Sequence, residues 1–265
     1  MLTILFCAIG LFVGSFLANV VYRLKKGEQF VNGRSKCPHC GHQLTALDLV
    51  PVFSWVALKS KCRYCKAKIS GEYALVELLT GVLFALSYFA LNPNGQIEIA
   101  QFFVWLIVLS GLIVLAVYDL KWYLLPDKVL LPLIIPAMIL ICLAFIDTGS
   151  YRVLTGPLIA AVLFGGFFYL LAAVSGGKWM GGGDIKLSFL MGLILGIQKT
   201  SVAMLIAFNT AAIVGVYLLV TKKLKRDHQI PFGPFLIAGT IAAYLFGQSI
   251  IDWYVELTGL NLIFI

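Results

Sequence analysis

Long apolar runs alternate with short polar connections along this chain. The runs cover residues 2–22, 73–91, 99–118, 129–146, 153–174, 185–197, 201–220 and 232–251. Within each run the apolar positions are continuous rather than alternating with period two, which predicts helices and argues against an outer-membrane barrel. A bilayer is crossed by about 20 apolar residues in a helix, so eight spans are expected. The sixth, 185–197, is short and is expected to be tilted, buried by its neighbours or entered from a recessed loop. The first run is expected to be a retained span rather than a signal peptide: no basic segment precedes it and no Ala-x-Ala site follows it. Residues 23–72 form the long water-compatible stretch. Within them 49–58 is apolar but broken by Pro51 and Ser54, too short to span and expected at the membrane interface.

Composition sharpens this reading. Hydrophobic residues make up 61% of the 265 residues and charged residues 12%, and the mean hydropathy is +0.97. Soluble domains are about 45–50% apolar and about 25% charged. A soluble enzyme, a disordered tail and a secreted disulfide mini-domain are therefore excluded. The expected fold is all-α: a polytopic helical membrane protein of about eight transmembrane helices with a cytoplasmic zinc-ribbon-like loop. The expected organisation is a first transmembrane helix over 1–22, a tetra-cysteine loop over 23–72 and a seven-helix core over 73–265.

Charge fixes the orientation. With the amino terminus outside, the inner side holds 23–72, 119–128, 175–184 with Lys186, and 221–231. Every Lys and Arg except Arg152 and Lys199 then lies inside, as the positive-inside rule requires. The net charge of +8 is thereby explained as an anchor to anionic membrane lipids, and no nucleic-acid partner is expected. The basic run Lys222, Lys223, Lys225 and Arg226 is read as a topology anchor.

Cys7 and Cys142 sit in apolar runs, where a thiol is a small core residue. The other four cysteines form two C-x2-C pairs, Cys37 with Cys40 and Cys62 with Cys65. That spacing is a zinc-ribbon pattern, because each C-x2-C turn points two thiolates at one metal. A cytoplasmic loop disfavours stable disulfides. Four thiolates close a tetrahedral shell, so this zinc is expected to be structural. His39 and His42 could substitute as ligands, but the four-cysteine set needs neither.

Acids near the membrane are functional candidates by default. Asp119 ends the third run, Asp127 opens the fourth after Pro126, and Asp184 follows Gly181, Gly182 and Gly183 at the mouth of the sixth. Helix capping explains Asp127 well, since Asp is a preferred N-cap. It explains Asp184 less well, because three glycines are costly for capping alone; they would let another backbone approach. It does not explain Asp119, since the macrodipole disfavours an anion at a helix C-terminus. Asp119 and Asp184 are thus expected to pair, with Asp127 third. Two carboxylates in one low-dielectric site share a proton; such a pair activates water and protonates a leaving amine, which suggests peptide-bond hydrolysis. Glu77, one turn into the second run, is expected to pair with a loop lysine. Lys186 either snorkels to headgroups or tunes Asp184. A transporter or proton-coupled channel would carry its acids near the midplane, whereas these lie at one face. A membrane thiol oxidoreductase is disfavoured by the inferred cytoplasmic side and the ribbon spacing.

Taken in order, several segments resemble the type IV prepilin peptidase family. They are Gly14-Ser15-Phe16-Leu17 through Arg23-Leu24, the tetra-cysteine loop, Asp48-Leu49-Val50-Pro51-Val52-Phe53-Ser54-Trp55 and Tyr73-Ala74-Leu75-Val76-Glu77 onward. Asp119 through Asp127, Gly181 through Leu187 and Pro231-Phe232-Gly233-Pro234-Phe235 complete the set. The resemblance implies a GxGD-type membrane aspartic peptidase of the bacterial inner membrane with catalytic Asp119 and Asp184, supported by Gly181, Gly183, Lys186 and Asp127. It implies cleavage of prepilins or pseudopilins after a glycine that closes a short basic leader, on the cytoplasmic side. It also implies N-methylation of the new terminal residue with S-adenosylmethionine. Two positions depart from the family: Lys25 stands where proline is usual, and Gln229 where a glutamate often stands.

Overall fold

A computed structural model describes residues 1–28, 35–37, 39–221 and 230–258; the basic run at 222–226 and Gln229 lie outside them. The chain divides into two compact units, Met1–Pro93 and Asn94–Ile265.

In the first unit α1 (Leu2–Lys26) and α3 (Glu72–Leu91) pack antiparallel. Small residues allow the close approach: a Cβ at Gly10 would come 2.8 Å from the Gly81 Cα, and one at Gly14 2.7 Å from the Glu77 Cα. Lipid is as apolar as leucine, so such backbone proximity, rather than water exclusion, holds a membrane helix pair together. The pair is fastened at both ends by ring stacks, Phe6 on Tyr88 and Tyr22 on Tyr73, each with centroids 4.9 Å apart. Arg23, Lys25 and Lys26 fill the last turn of α1, where cations complement the helix dipole. Between the helices, a short helix α2 (Phe53–Ala57) follows a 3-10 turn at Ala46–Leu49.

The second unit is built around α4 (Gln96–Trp122), whose Trp105, Leu109, Leu112 and Leu115 are wholly buried. A one-turn helix α5 (Asp127–Leu130) leads into α6 (Ile134–Thr148), then α7 (Tyr151–Ser175), α8 (Gly182–Val220) and α9 (Gly233–Thr258). Trp105 stacks on Tyr244 at 3.7 Å and joins α4 to α9.

Seven of these helices are long and apolar enough to cross a membrane. One of them, α8, has 39 residues, about twice what a bilayer needs. It is broken at Gly196, where φ 70 and ψ 178 place the backbone in a region open essentially to glycine alone. Its neighbours show that the break is a reversal. Before it, Phe189 packs on Gly165 and Gly192 on Ala161, so the first arm runs antiparallel to α7. After it, Phe208 stacks near Phe168, so the second arm runs parallel to α7. Gly239 meets Ala203 and Gly247 meets Lys199 as α9 returns antiparallel to that second arm. The first arm, 182–195, is shorter than a span and the second, 197–220, is long enough for one, so among the described residues seven helices rather than eight are long enough to cross. The turn is made at Gly196, and Lys199 is already helical; a Cβ at Gly247 would stand 3.2 Å from its Cγ.

Candidate active site

Asp119 lies in the last turn of α4 and is 5% exposed. The helix closes just beyond it: Tyr123 adopts a left-handed conformation and donates its N–H to the Asp119 carbonyl at 2.8 Å. The dipole of α4 disfavours the Asp119 carboxylate at this position. The opposite pole of another helix offsets it. The N-terminus of α9 meets Asp119 at Gly233. The fit leaves no room for a side chain, since a Cβ at Gly233 would stand 2.6 Å from Asp119 Oδ2.

Asp184 occupies the first turn of α8, half-buried. Its Oδ2 stands 3.5 Å from the Cβ position of Gly181, the N-cap residue. The glycine run behaves unequally. A Cβ at Gly183 would come 2.9 Å from the Leu125 Cβ, while one at Gly182 would meet nothing within 4 Å. The close approach that the glycines allow is therefore to a side chain, not to a second backbone. Leu125 also stands 3.5 Å from the Cβ position of Gly233. Seated between the starts of α8 and α9, it draws their N-termini together and brings Asp184 to the end of α4 that carries Asp119.

Asp127 and Lys186 are placed differently from the sequence expectation. The N-cap of α5 is Pro126, and Asp127 makes no capping bond. Both Asp127 oxygens accept from Lys186 Nζ at 2.7 Å. Both groups are about half exposed, so the pair contributes roughly 1 kcal/mol at most. It ties α5 to α8 two residues from Asp184. Glu77 also departs from expectation. Its partner is the Val52 N–H at 2.7 Å, not a lysine.

In the first unit the four cysteines converge, their Sγ atoms all within 4.8 Å of one another. Cys37 and Cys62 are buried, Cys40 and Cys65 exposed. The two pairs share one local geometry. Cys37 N–H bonds the His42 carbonyl and Cys62 N–H the Ala67 carbonyl, while Gly41 and Lys66 donate back to Cys37 and Cys62. Antiparallel bridges Lys36 to Gln43 and Lys61 to Lys68 flank the turns. Cys37 Sγ and Cys65 Sγ stand 3.9 Å apart, close to the roughly 3.8 Å edge of a tetrahedron with Zn–S near 2.3 Å. Burial pushes the Cys37 thiol up, but N–H groups of Cys40 and His39 and the neighbouring thiols outweigh it and bring it to about 7, which favours the thiolate a metal needs. Neither histidine joins this set; His42 stacks on Tyr64 at 3.7 Å.

Sequence reasoning missed three residues. Gly233 and Leu125 carried no signal beyond lying in segments quoted for the resemblance. Asp48 organises the metal loop, accepting from Thr45 N–H at 3.1 Å, Thr45 Oγ1 at 2.8 Å and Arg63 Nε at 2.7 Å. Burial raises its carboxyl, but these bonds prevail and hold it below the usual carboxylate range.

Residues 8–91 match the bacterial peptidase A24 N-terminal domain, and residues 106–216 match the type IV leader peptidase family. The chain is 33% identical to the prepilin leader peptidase/N-methyltransferase of Bacillus subtilis (strain 168), over 97% of this chain and 99% of that protein. It is 35% identical to the protein of the same name from Aeromonas hydrophila, over 83% of this chain and 74% of that one. It is 30% identical to that of Stutzerimonas stutzeri, over 96% and 95%. No solved structure matches.

Proposed function

The chain belongs to the type IV leader peptidase family, and we propose that it is a membrane aspartic endopeptidase that removes the short basic leader of type IV prepilins or pseudopilins after a glycine. It then N-methylates the new terminus, with S-adenosylmethionine supplying the methyl group. The observation that supports the peptidase reading is the packing that gathers the ends of α4, α8 and α9: Leu125 against Gly183 and Gly233, and Asp119 against Gly233.

The chemistry follows from two carboxylates that share one proton. The ionised acid takes a proton from a water molecule as its oxygen attacks the scissile carbonyl. The protonated acid gives its proton to the carbonyl oxygen. Collapse of the tetrahedral adduct returns that proton to the dyad, and the amine leaves with the other. The carbonyl oxygen carries developing negative charge, which a neutral acid partner stabilises. The N-terminus of α9 at Asp119 favours the ionised state there.

The enzyme sits in the bacterial inner membrane with the dyad facing the cytoplasm, as the Lys and Arg distribution supports. Cys37, Cys40, Cys62 and Cys65 hold one zinc that folds the loop; all four positions are filled by thiolates, so it offers no open site for catalysis. The acids lie at helix ends on one side, which disfavours a transporter or channel with a midplane site.

Intact-mass analysis of a prepilin co-expressed with the wild-type chain tests this. Loss of the leader after its glycine, with one added methyl, is the expected product. A precursor that stays intact contradicts the reading.

A further inference from the structure

The first unit holds a buried acid that peptide hydrolysis does not use. Glu77 is the sixth residue of α3, roughly 7 Å along the helix from its start. It is 8% exposed and is packed by α1 at Gly14. Its Oε2 accepts the Val52 N–H, and among the described residues it has no cationic partner. A carboxylate at this depth ordinarily has a partner. No buried side-chain oxygen among the described residues lacks a hydrogen bond, so Oε1, which makes none, keeps a path to the surface.

The backbone facing it is strained. Val52 has φ 60 and ψ −49, and Phe53 N–H bonds the Pro51 carbonyl. This three-residue turn is rare, and for a β-branched residue the conformation costs on the order of 1–3 kcal/mol. Strain of this kind collects at functional sites. The carboxylate stabilises the turn through one oxygen and leaves the other for a ligand.

We infer that Glu77 binds the N-terminal ammonium of the cleaved pilin and takes its proton for methyl transfer. This rests on the reading above that the chain N-methylates its product. Charge complementarity carries it: removal of the leader exposes a primary ammonium, and the free oxygen is a carboxylate oxygen at the loop end of an apolar helix pair. The ammonium gives one proton to Glu77 and becomes a neutral amine. The nitrogen lone pair forms a bond to the methyl carbon of S-adenosylmethionine. The carbon–sulfur bond breaks with its electrons left on sulfur as a thioether. The product is a methylammonium, and Glu77 returns its proton to water.

Two measurements on the full-length protein test the site. The first is the methylated fraction of cleaved pilin from cells carrying wild type, Glu77→Gln or Glu77→Asp. Gln keeps the shape and an oxygen for the Val52 N–H but loses the charge. The expected fraction falls by at least about tenfold for Gln, as for loss of a general base, and less for Asp. The second, without methyl donor, compares binding of a mature-pilin N-terminal peptide with its N-acetylated form. Wild type should prefer the free amine by about tenfold or more, and Glu77→Gln should lose that preference. Wild-type methylation by Glu77→Gln overturns the inference, as does wild type that cleaves without methylating. Equal binding of the two peptides by wild type overturns it whatever the variants do. Wild type that does not cleave at all refutes the peptidase reading instead.

Discussion

The metal loop and the aspartate pair are assembled by opposite means. In the loop, each C-x2-C turn is closed by hydrogen bonds between residues four or five apart, and Asp48 fastens the second turn through Arg63. The four cysteines are placed by short stretches of chain. The aspartates stand on different helices and are brought together only by tertiary packing. Leu125 wedges against Gly183 and Gly233, and the N-terminus of α9 lies on Asp119. The loop should therefore fail gradually when one local bond is lost. The dyad should fail abruptly when one contact between helices is crowded.

Among the packing variants around the aspartates, the largest effect is expected at Gly233. Gly233→Ala puts a methyl 2.6 Å from Asp119 Oδ2; overpacking of about 1–3 kcal/mol falls on the reacting geometry, so leader cleavage should drop up to about 100-fold. Membranes at matched expression with cleavage near wild type would show that the α9 contact does not set Asp119. Gly183→Ala should cost about tenfold by the same reasoning, and Leu125→Gly in the same chain, which removes the Cβ at 2.9 Å, should recover part of it. Failure of that rescue would remove Leu125 as the link. Gly182→Ala, open on every side, is the control and should leave cleavage intact.

Cys62→Ser tests the other region. Bound zinc, near one per chain in the wild type by elemental analysis, should be lost, and hydrogen exchange over residues 35–70 should rise, while cleavage falls only a few-fold. No zinc in the wild type would end the metal assignment. Asp127→Asn and Lys186→Met should be mildest, within about threefold, since half-exposed pairs contribute about 1 kcal/mol or less. A much larger loss in either would mean that this pair, rather than Leu125, holds α8 in place.

The contrast explains what could be read from the chain. C-x2-C spacing is local, so the four cysteines were legible as a set. Long apolar runs gave the helices, including the short sixth one, because Gly196 ends it where the periodic apolar run also ends. Asp119 and Asp184 were legible as candidates, one through its unfavourable helix end and one through its glycines. Their supports were not, because a glycine that makes room for a carboxylate on another helix looks like any helix-start glycine. Glu77 was read as a lysine partner, since nothing in its neighbours reveals a backbone N–H twenty-five residues earlier. Asp127 was read as a cap because Pro126 hid that the capping position was already taken.

The central claim is that Asp119 and Asp184 act as one catalytic pair, and leader removal from a prepilin by Asp119→Asn, Asp184→Asn and Asp127→Asn in membranes at matched expression tests it most directly. Asn keeps the shape but cannot share or take the proton. Each of the first two should lose cleavage by roughly 10²–10⁴-fold, while Asp127→Asn cleaves at close to the wild-type rate. Robust cleavage by Asp119→Asn with none by Asp127→Asn would move the first catalytic role to Asp127, and robust cleavage by Asp184→Asn would contradict the aspartic mechanism altogether.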